Sequence, residues 1–242
     1  MMRAFEADEL DDDTTFNMDD GSTLGFRGQE NVSYQDVVSG GEGMTLVIKL
    51  SGGVNGRILP VMVIFKNDNC SYPIRGVPDS VPGVTYRSGK KGWMDQGIVD
   101  EWTKNLLCNP PSERRQHVFV DNAGGHKAGS HDGLDTSNMA LHFLPANATH
   151  LCQPADSFVI QKIKELKNPG KPFFLQLAAD CVAHVNKQRD ADGISYARKA
   201  MILCGLNKGL NGKWEVKQLH AHLQEIVKRY PSEFNGSPDI SV

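Results

Sequence analysis

The sequence predicts an α/β fold, with a mixed sheet flanked by helices and a helical C-terminal extension. Three observations lead to this fold class. Apolar, β-rich runs lie at 44–50, 58–65 and 117–121, and a segment with helical spacing at 95–107 lies between them. From Ser157 onward the pattern changes to amphipathic helices. A sheet of this kind buries its apolar faces beneath helices.

The first third of the chain predicts a short strand followed by a hairpin. Residues 14–18 form the short strand, which leads into an acidic pair. The runs 44–50 and 58–65 flank a turn rich in glycine and asparagine, which is typical of a hairpin. Pro60 indicates an edge position or a bulge. Residues 66–91, punctuated by proline and glycine, are interpreted as a loop.

The middle of the chain predicts one helix and two further strands. The helix at 95–107 is amphipathic, and Trp93 just before it is expected to pack in the core, as large aromatic side chains usually do. Strands are predicted at 117–121 and 139–144, separated by a polar loop. The helices predicted after Ser157 are 158–166, 172–188, 194–206 and 216–230.

Charge is distributed unevenly along the chain. The net charge is −3, yet residues 1–20 carry −7 and the remainder carries +4. From Ser157 onward the net charge is +5. A mildly basic body is compatible with nucleic-acid contact, and lysines on solvated helix faces give the same count.

Composition argues against several classes of protein. No stretch approaches the roughly 20 apolar residues of a membrane span, and the acidic N-terminus is no secretory signal. Five scattered cysteines without a C-x-x-C pair favour reduced thiols in an intracellular protein over a disulfide framework or a zinc site. Neither a G-x-G-x-x-G motif after a strand nor a Walker-type loop is present, so we expect no nucleotide cofactor.

Two aspartates stand at the edges of predicted elements. Asp121 closes the apolar run His117-Val118-Phe119-Val120, and Asp156 follows Gln153-Pro154 at the predicted start of a helix. Carboxylates in such positions suit hard divalent cations, which prefer oxygen ligands. Two such cations can stabilise both the attacking and the leaving oxygens of a phosphoryl transfer.

The segments around these aspartates carry a resemblance. GWMDQGIVDEW at 92–102, VFVDNAGGH at 118–126 and FLPANATHLCQPAD at 143–156 resemble the DDE superfamily endonuclease domain. This is the catalytic domain of pogo/jerky-type, mariner-like transposases, also found in relatives of centromere protein B. FNMDD at 16–20 is similar to the first acidic motif of that family. The resemblance implies a ribonuclease H-like fold with a five-stranded mixed sheet.

The resemblance also implies the site and its chemistry. Asp19, Asp121 and Asp156 would form an acidic triad that holds two Mg²⁺ or Mn²⁺ ions. The family usually has Asp-Glu at the first motif, where this chain has Asp19-Asp20, so Asp20 is the alternative to Asp19. The implied reaction is cleavage of a DNA phosphodiester followed by strand transfer, and the implied location is the nucleus.

Three polar neighbours of the aspartates are candidate second-sphere or substrate-binding residues. Asn122 and His126 follow the second aspartate and could orient a metal-bound water or a phosphate. The alternative for His126 is an ordinary surface loop residue. Gln153 could contact the substrate backbone or cap the following helix.

Domain boundaries follow from composition and from the extent of the resemblance. Residues 1–13 are acidic and expected to be disordered, 14–168 form the endonuclease domain, and 169–242 form the helical extension. No helix-turn-helix module precedes the first acidic motif in this sequence. A domesticated, catalytically inactive DNA-binding or chromatin protein on the same fold is therefore the alternative function.

Overall fold

The structure is a computed structural model of the 242-residue chain. It describes residues 4–5, 7, 9–22, 44–79, 81–123, 126, 134, 137–145, 153–155 and 171–231.

In this part of the chain, six strands form one mixed sheet in the order β4-β3-β2-β1-β5-β6. The strands are β1 (Thr15–Ser22), β2 (Met44–Ser51), β3 (Val61–Lys66), β4 (Val84–Gly89), β5 (Gln116–Val120) and β6 (Met139–Phe143). The β1–β2 and β2–β3 pairs are antiparallel, while β1–β5, β3–β4 and β5–β6 are parallel. The predicted fold class, a mixed sheet flanked by helices, is confirmed.

The β2–β3 hairpin is confirmed, and the described sheet has one strand more than the five implied by the resemblance. The prediction of a loop over 66–91 is wrong for β4, which pairs in parallel with β3 along its whole length. Its short sequence, VTYRSG, buries alternate residues and lacks the apolar run that marked the other strands. A strand at the edge of a sheet needs only one buried face, so the sequence signal is weak.

The strand directions bring several strand ends to the same edge of the sheet. β5 runs parallel to β1, and β3 and β4 also run in the direction of β1 because β2 reverses between them. Asp19 and Asp20 lie where β1 leaves β5, and Asp121 follows the end of β5. We call this edge, marked by Asp19, Asp20 and Asp121, the acid edge.

Helices cover both faces of the sheet. On one face, α1 (Gln96–Lys104) buries Ile98, Val99 and Trp102 against strand residues such as Met62. On the other face, α2 (Lys171–Lys187) packs against β3 and β4. Because both faces are covered, seven of the eight residues of β2 are buried, which explains its continuous apolar sequence.

The C-terminal helices are an integral part of this packing. Two further helices, α3 (Tyr196–Leu203) and α4 (Ala221–Arg229), follow α2, and α3 contacts β2. Asn186 near the end of α2 exchanges two hydrogen bonds, of 2.7 and 2.8 Å, with the backbone of Ile58. The helix predicted at 158–166 lies outside the described residues. The helix predicted at 216–230 is divided into a 3₁₀ turn and α4.

Within residues 1–13, the side chains of Phe5 and Leu10 are buried in the core cluster that α2 covers. A 3₁₀ turn at Asp12–Thr14, capped by the Asp11 carboxylate, leads from there into β1.

Candidate metal centre

The parallel pairing of β1 and β5 builds the scaffold of the site. The last paired residues are Met18 and Val120, both buried, so the acids that follow them are held next to each other. Carboxyl ends of adjacent parallel strands form a natural crevice for ligands. The sequence folds this way because the apolar residues of β5 are buried between two layers.

Asp20, Asp121 and His126 converge at the acid edge. One possible ligand atom from each residue lies within 4.8 Å of the others. The imidazole of His126 stands between the carboxylates, with Nδ1 contacting Asp121 and Nε2 3.4 Å from Oδ1 of Asp20. His126 is 1% exposed, so the interpretation as a surface loop histidine is wrong.

The two ring nitrogens of His126 are buried and lack hydrogen bonds of good geometry, although each faces a carboxylate at ion-pair distance. When His126 is protonated, its ring is attracted to both carboxylates even without well-aligned hydrogen bonds, because attraction between charges depends little on orientation. The possible metal-ligand atoms of Asp20, Asp121 and His126 therefore lie close enough together to share one cation.

The electrostatics of the cluster favour a cation between the carboxylates. Burial raises the pKa of Asp20 to about 6, and the Asp121 charge adds to this while His126 opposes it. Desolvation pushes the pKa of Asp121 upward, but contact with His126 outweighs it and leaves that pKa below its usual value. Burial lowers the pKa of His126, yet the two carboxylates leave it raised overall. The carboxylates that favour a proton on His126 would also favour a metal ion, and the imidazole could bind that ion only after releasing its proton.

Asp19 and Asp20 point to opposite faces of β1, because side chains alternate along a strand. Asp20 shares a face with Met18 and belongs to the cluster. Asp19 is 5% exposed, shares a face with Asn17, and lies outside the cluster of Asp20, Asp121 and His126. Asp19 nevertheless directly follows Met18, and Asp121 directly follows Val120, the residue that pairs with Met18.

The end of the segment 143–156, which is the third acidic motif after those of Asp19 and Asp121, is tied to the same strand. Nδ2 of Asn17 donates to Oε1 of Gln153 over 3.0 Å, and Nε2 of Gln153 donates to the Met18 carbonyl over 2.9 Å. The backbone N–H of Ala155 donates to Oδ1 of Asn17 over 3.1 Å. Residues 153–155 are therefore anchored to Asn17 and Met18, the two residues that precede Asp19 in β1. Asp156 itself lies outside the described residues.

Gln153 is fully buried, and both ends of its amide bond to β1. Its contacts in the structure are those of a residue that positions the third motif. Asn17, its partner, also donates to the Phe119 carbonyl over 3.0 Å, which links β1 to β5. The sequence placed Asn17 only within the first acidic motif, because β1 is largely polar and an amide within it does not stand out.

Asn122 follows directly after Asp121. Its Oδ1 atom is buried and has no hydrogen-bond partner among the described residues. Asp121 also accepts a hydrogen bond of 3.4 Å from the backbone N–H of Ala123, which turns the chain after β5. Because Asn122 adjoins Asp121 in the chain, its amide oxygen is a further possible ligand for a cation or its water.

A cavity of about 870 Å³ lies at the opposite end of the sheet, away from the carboxylates. Its lining includes Ser51 at the end of β2 together with Arg57, Arg189 and Arg198. We place the candidate site at the acid edge because the possible metal ligands converge there, whereas this cavity contains no comparable ligand set among the described residues.

Comparison with known proteins gives one match. A family model described as DDE superfamily endonuclease matches residues 46–168, about half of the chain. The match includes Asp121 and Asp156 and begins within β2, after the first acidic motif. No curated protein and no solved structure matches the chain. None of the helices in the described ranges is long and apolar enough to cross a bilayer.

Proposed function

Since this chain belongs to the DDE superfamily endonucleases, we propose that it cleaves phosphodiester bonds of DNA with divalent metal ions bound at the acid edge. The observation that carries the proposal is the convergence of Asp20, Asp121 and His126 where the family match contains an acidic motif. The family itself implies a nucleic-acid substrate and normally uses divalent metals.

The donor set suits a hard divalent cation. The donor set comprises two carboxylates, an imidazole and the amide oxygen of Asn122, which has no partner within the described ranges. It offers oxygen and nitrogen ligands and no thiolate. We propose Asp121 as the central ligand, because both the motif and the cluster include it. Asp19 and Asp156 complete the triad implied by the family, and Asp20 is the alternative first acid.

Two ions, Mg²⁺ or Mn²⁺, would activate the attacking water and offset charge on the phosphate. The protein contributes ligands and their positioning. β1 and β5 hold the acids side by side, and the bonds of Asn17 to Gln153 and Ala155 bring the third motif to the same strand. His126 holds the Asp121 carboxylate in place and neutralises part of the repulsion between the acids when no metal is bound.

We include strand transfer in the proposal, because the same residues would hold the ions for it. In cleavage, water would attack a phosphodiester and a 3′-hydroxyl would leave; in strand transfer, that freed 3′-hydroxyl would attack a phosphodiester of target DNA, form a new phosphodiester bond and displace a 3′-hydroxyl of the target.

A plasmid-nicking assay tests the activity. Wild-type protein incubated with supercoiled plasmid and Mn²⁺ or Mg²⁺ should produce nicked circles, and EDTA should abolish them. Asp121→Asn should lower the nicking rate on the order of 100-fold or more, since it removes a charged ligand. Asp192→Asn, an exposed aspartate at the other end of the sheet, is the matched control and should nick normally. Nicking that survives in Asp121→Asn would refute the proposal.

The same assay separates the two candidate first acids. Asp19→Asn and Asp20→Asn differ by one position and keep the size of the side chain. The variant that loses both nicking and Mn²⁺ binding, followed by electron paramagnetic resonance, identifies the ligand. Salt-dependent DNA binding without any metal-dependent nicking would instead support the inactive DNA-binding alternative.

A further inference from the structure

Trp93 is an exposed tryptophan at the end of the sheet where the acids lie. It is 54% exposed, so the expectation that it packs in the core is wrong. The buried tryptophan of this region is Trp102 in α1, at 1% exposure. Large aromatic side chains lose favourable burial when they face water, and their exposure often marks a contact surface.

The backbone around Trp93 holds the indole in a defined place. Gly92 has a φ of +68°, which favours glycine, and its N–H donates to the Gly89 carbonyl over 3.0 Å. The Trp93 carbonyl accepts from the N–H of Asp95, also over 3.0 Å. Met94, at 5% exposure, packs into the core cluster beneath α1. The turn therefore presents Trp93 outward because its neighbours are fixed inward.

Trp93 follows the carboxyl end of β4, which lies at the same edge of the sheet as the ends of β3 and β5. Three interstrand spacings separate β4 from β1 in the strand order. At about 4.8 Å for each spacing, β4 lies roughly 14 Å from the strand that carries Asp19 and Asp20. A DNA strand bound at the acid edge can cover that distance with a few nucleotides.

The charge around Trp93 suits a phosphate backbone. Lys90 and Lys91 are exposed, and Nζ of Lys91 lies 5.0 Å from the centroid of the Trp93 ring system. The nearby Asp95 carboxylate accepts a hydrogen bond from the N–H of Ile98 and caps α1. An exposed aromatic ring beside cations is the combination by which proteins bind unpaired nucleotides, since the ring stacks on a base and the cations contact phosphates.

We propose that Trp93, with Lys90 and Lys91, forms a subsite that stacks on an unpaired base of the DNA substrate a few nucleotides from the cleaved bond. The inference rests on the proposed endonuclease function for the identity of its ligand. In a blunt duplex the faces of the bases are covered by their neighbours, so the subsite selects DNA with an unpaired segment.

Binding in EDTA tests the subsite without cleavage. Fluorescein-labelled hairpins whose loop is a non-nucleotide linker, made with and without a single-stranded tail, are titrated with full-length protein, and anisotropy gives the two dissociation constants. Trp93→Ala should weaken binding of the tailed hairpin about 5- to 100-fold, as expected for the loss of one stacked base, and should change blunt-hairpin binding by less than about twofold. Trp93→Phe should recover much of the affinity.

Two further readouts check the mechanism. Leu106→Ala, which removes another exposed apolar side chain (60% exposed), is the matched control and should bind both hairpins like wild type. An unlabelled tailed hairpin should quench tryptophan emission of the wild type and much less that of Trp93→Phe, in which buried Trp102 and half-buried Trp214 remain. Replacing Lys90 and Lys91 with alanine should make the slope of log K against log salt concentration less steep, by the amount expected for the loss of about one to two phosphate contacts.

Equal affinity of Trp93→Ala and wild type for the tailed hairpin would overturn the subsite, and so would an equal loss on both hairpins. These outcomes are separate from the nicking assay. A protein that nicks plasmid but shows no effect of Trp93 would contradict this inference alone, whereas one that stacks but never nicks would contradict the proposed activity alone.

Discussion

Lys49 shows at the scale of one residue how the fold accommodates a charge in its interior. Its side chain lies within the sheet's helix-covered core at 1% exposure, and Nζ donates to amide oxygens of Asn109 and Gln116, each over 3.0 Å. The Phe16 ring centroid lies 4.5 Å away. Burial lowers the pKa of Lys49 to about 7, so the amine loses its proton in the folded protein far more readily than in water.

This shift makes stability depend on pH. Between pH 7 and 10.5 the unfolded chain holds the Lys49 proton and the folded chain has released it, so the free energy of unfolding should rise as pH rises. The slope approaches about 1.4 kcal/mol per pH unit in the middle of that window. Urea denaturation between pH 7.0 and 7.5, where cysteines of the unfolded chain with a pKa of about 8.5 are still largely protonated, measures it.

Lys49→Met is the matched variant for this slope. Methionine cannot titrate, so the rise with pH should be smaller in the variant by about the slope assigned to Lys49. The amide oxygens of Asn109 and Gln116 lose their donor, but that cost is the same at every pH. Identical slopes for wild type and variant would show that Lys49 keeps its proton in the folded protein.

His126 supports a second prediction at this scale. Because its ring contacts both Asp20 and Asp121, His126→Asn should weaken Mn²⁺ binding and slow nicking, each by about 10- to 100-fold. His222→Asn, on the exposed surface of α4, is the control. Calorimetric titration with Mn²⁺ measures the affinity, and equal affinities for the two variants would remove His126 from the site.

At the scale of elements, the amide of Asn17 couples β1, β5 and the third motif. It is fully buried, and its bonds reach the Phe119 carbonyl, the Gln153 side chain and the Ala155 N–H. Among the described residues of this motif, Gln153 also donates to the Met18 carbonyl and Ala155 is buried in the core. The pairing of β1 with β5 positions the first two acidic motifs. The hydrogen bonds of Asn17 position residues 153–155 of the third motif beside β1.

Asn17→Leu should therefore affect both stability and activity. Leucine leaves Oε1 of Gln153 and the Ala155 N–H without their partner, at a cost of about 2–4 kcal/mol in the free energy of unfolding. Nicking should fall further than the unfolded fraction explains, because the third motif loses its anchor. Asn55→Leu, at an exposed turn position, should change neither quantity appreciably. Chemical denaturation and the nicking assay on the same samples provide the comparison.

At the scale of the whole molecule, the C-terminal helices complete the core. The family match ends at residue 168, yet α2 begins at Lys171 and buries Phe174, Leu175 and Ala178 in the cluster that also contains Val63 and Phe65. The matched segment and the following helices therefore share one apolar interior. We expect them to unfold together.

Leu175→Ala tests that cooperativity. Leu175 is 1% exposed, and its truncation should lower the free energy of unfolding by about 2–5 kcal/mol. Leu210→Ala, at 56% exposure, should cost less than about 0.5 kcal/mol. Circular dichroism should report the same transition for Leu175→Ala as tryptophan emission measured in a Trp93→Phe, Trp214→Phe background, where only Trp102 beneath the opposite face remains. Two separated transitions would show that α2 folds independently of the sheet.

The sequence alone determined the fold class, most strands and helices, and the family, because periodic burial and ordered motifs are local properties of the chain. It located Asp121 at a strand end for the same reason. β4 escaped prediction because an edge strand needs little apolar sequence. Only the tertiary structure decided that Trp93 faces water and that His126 is buried between carboxylates.

The pairing of acids likewise depends on which face of a strand meets which neighbour. Asp20 meets Asp121 through His126, whereas Asp19 lies on the Asn17 face toward the third motif. Such relations join residues about 100 or more positions apart in the chain, from β1 to β5 and from β1 to Gln153. No local pattern encodes them, since they arise only when strand register and side-chain alternation bring the distant segments together.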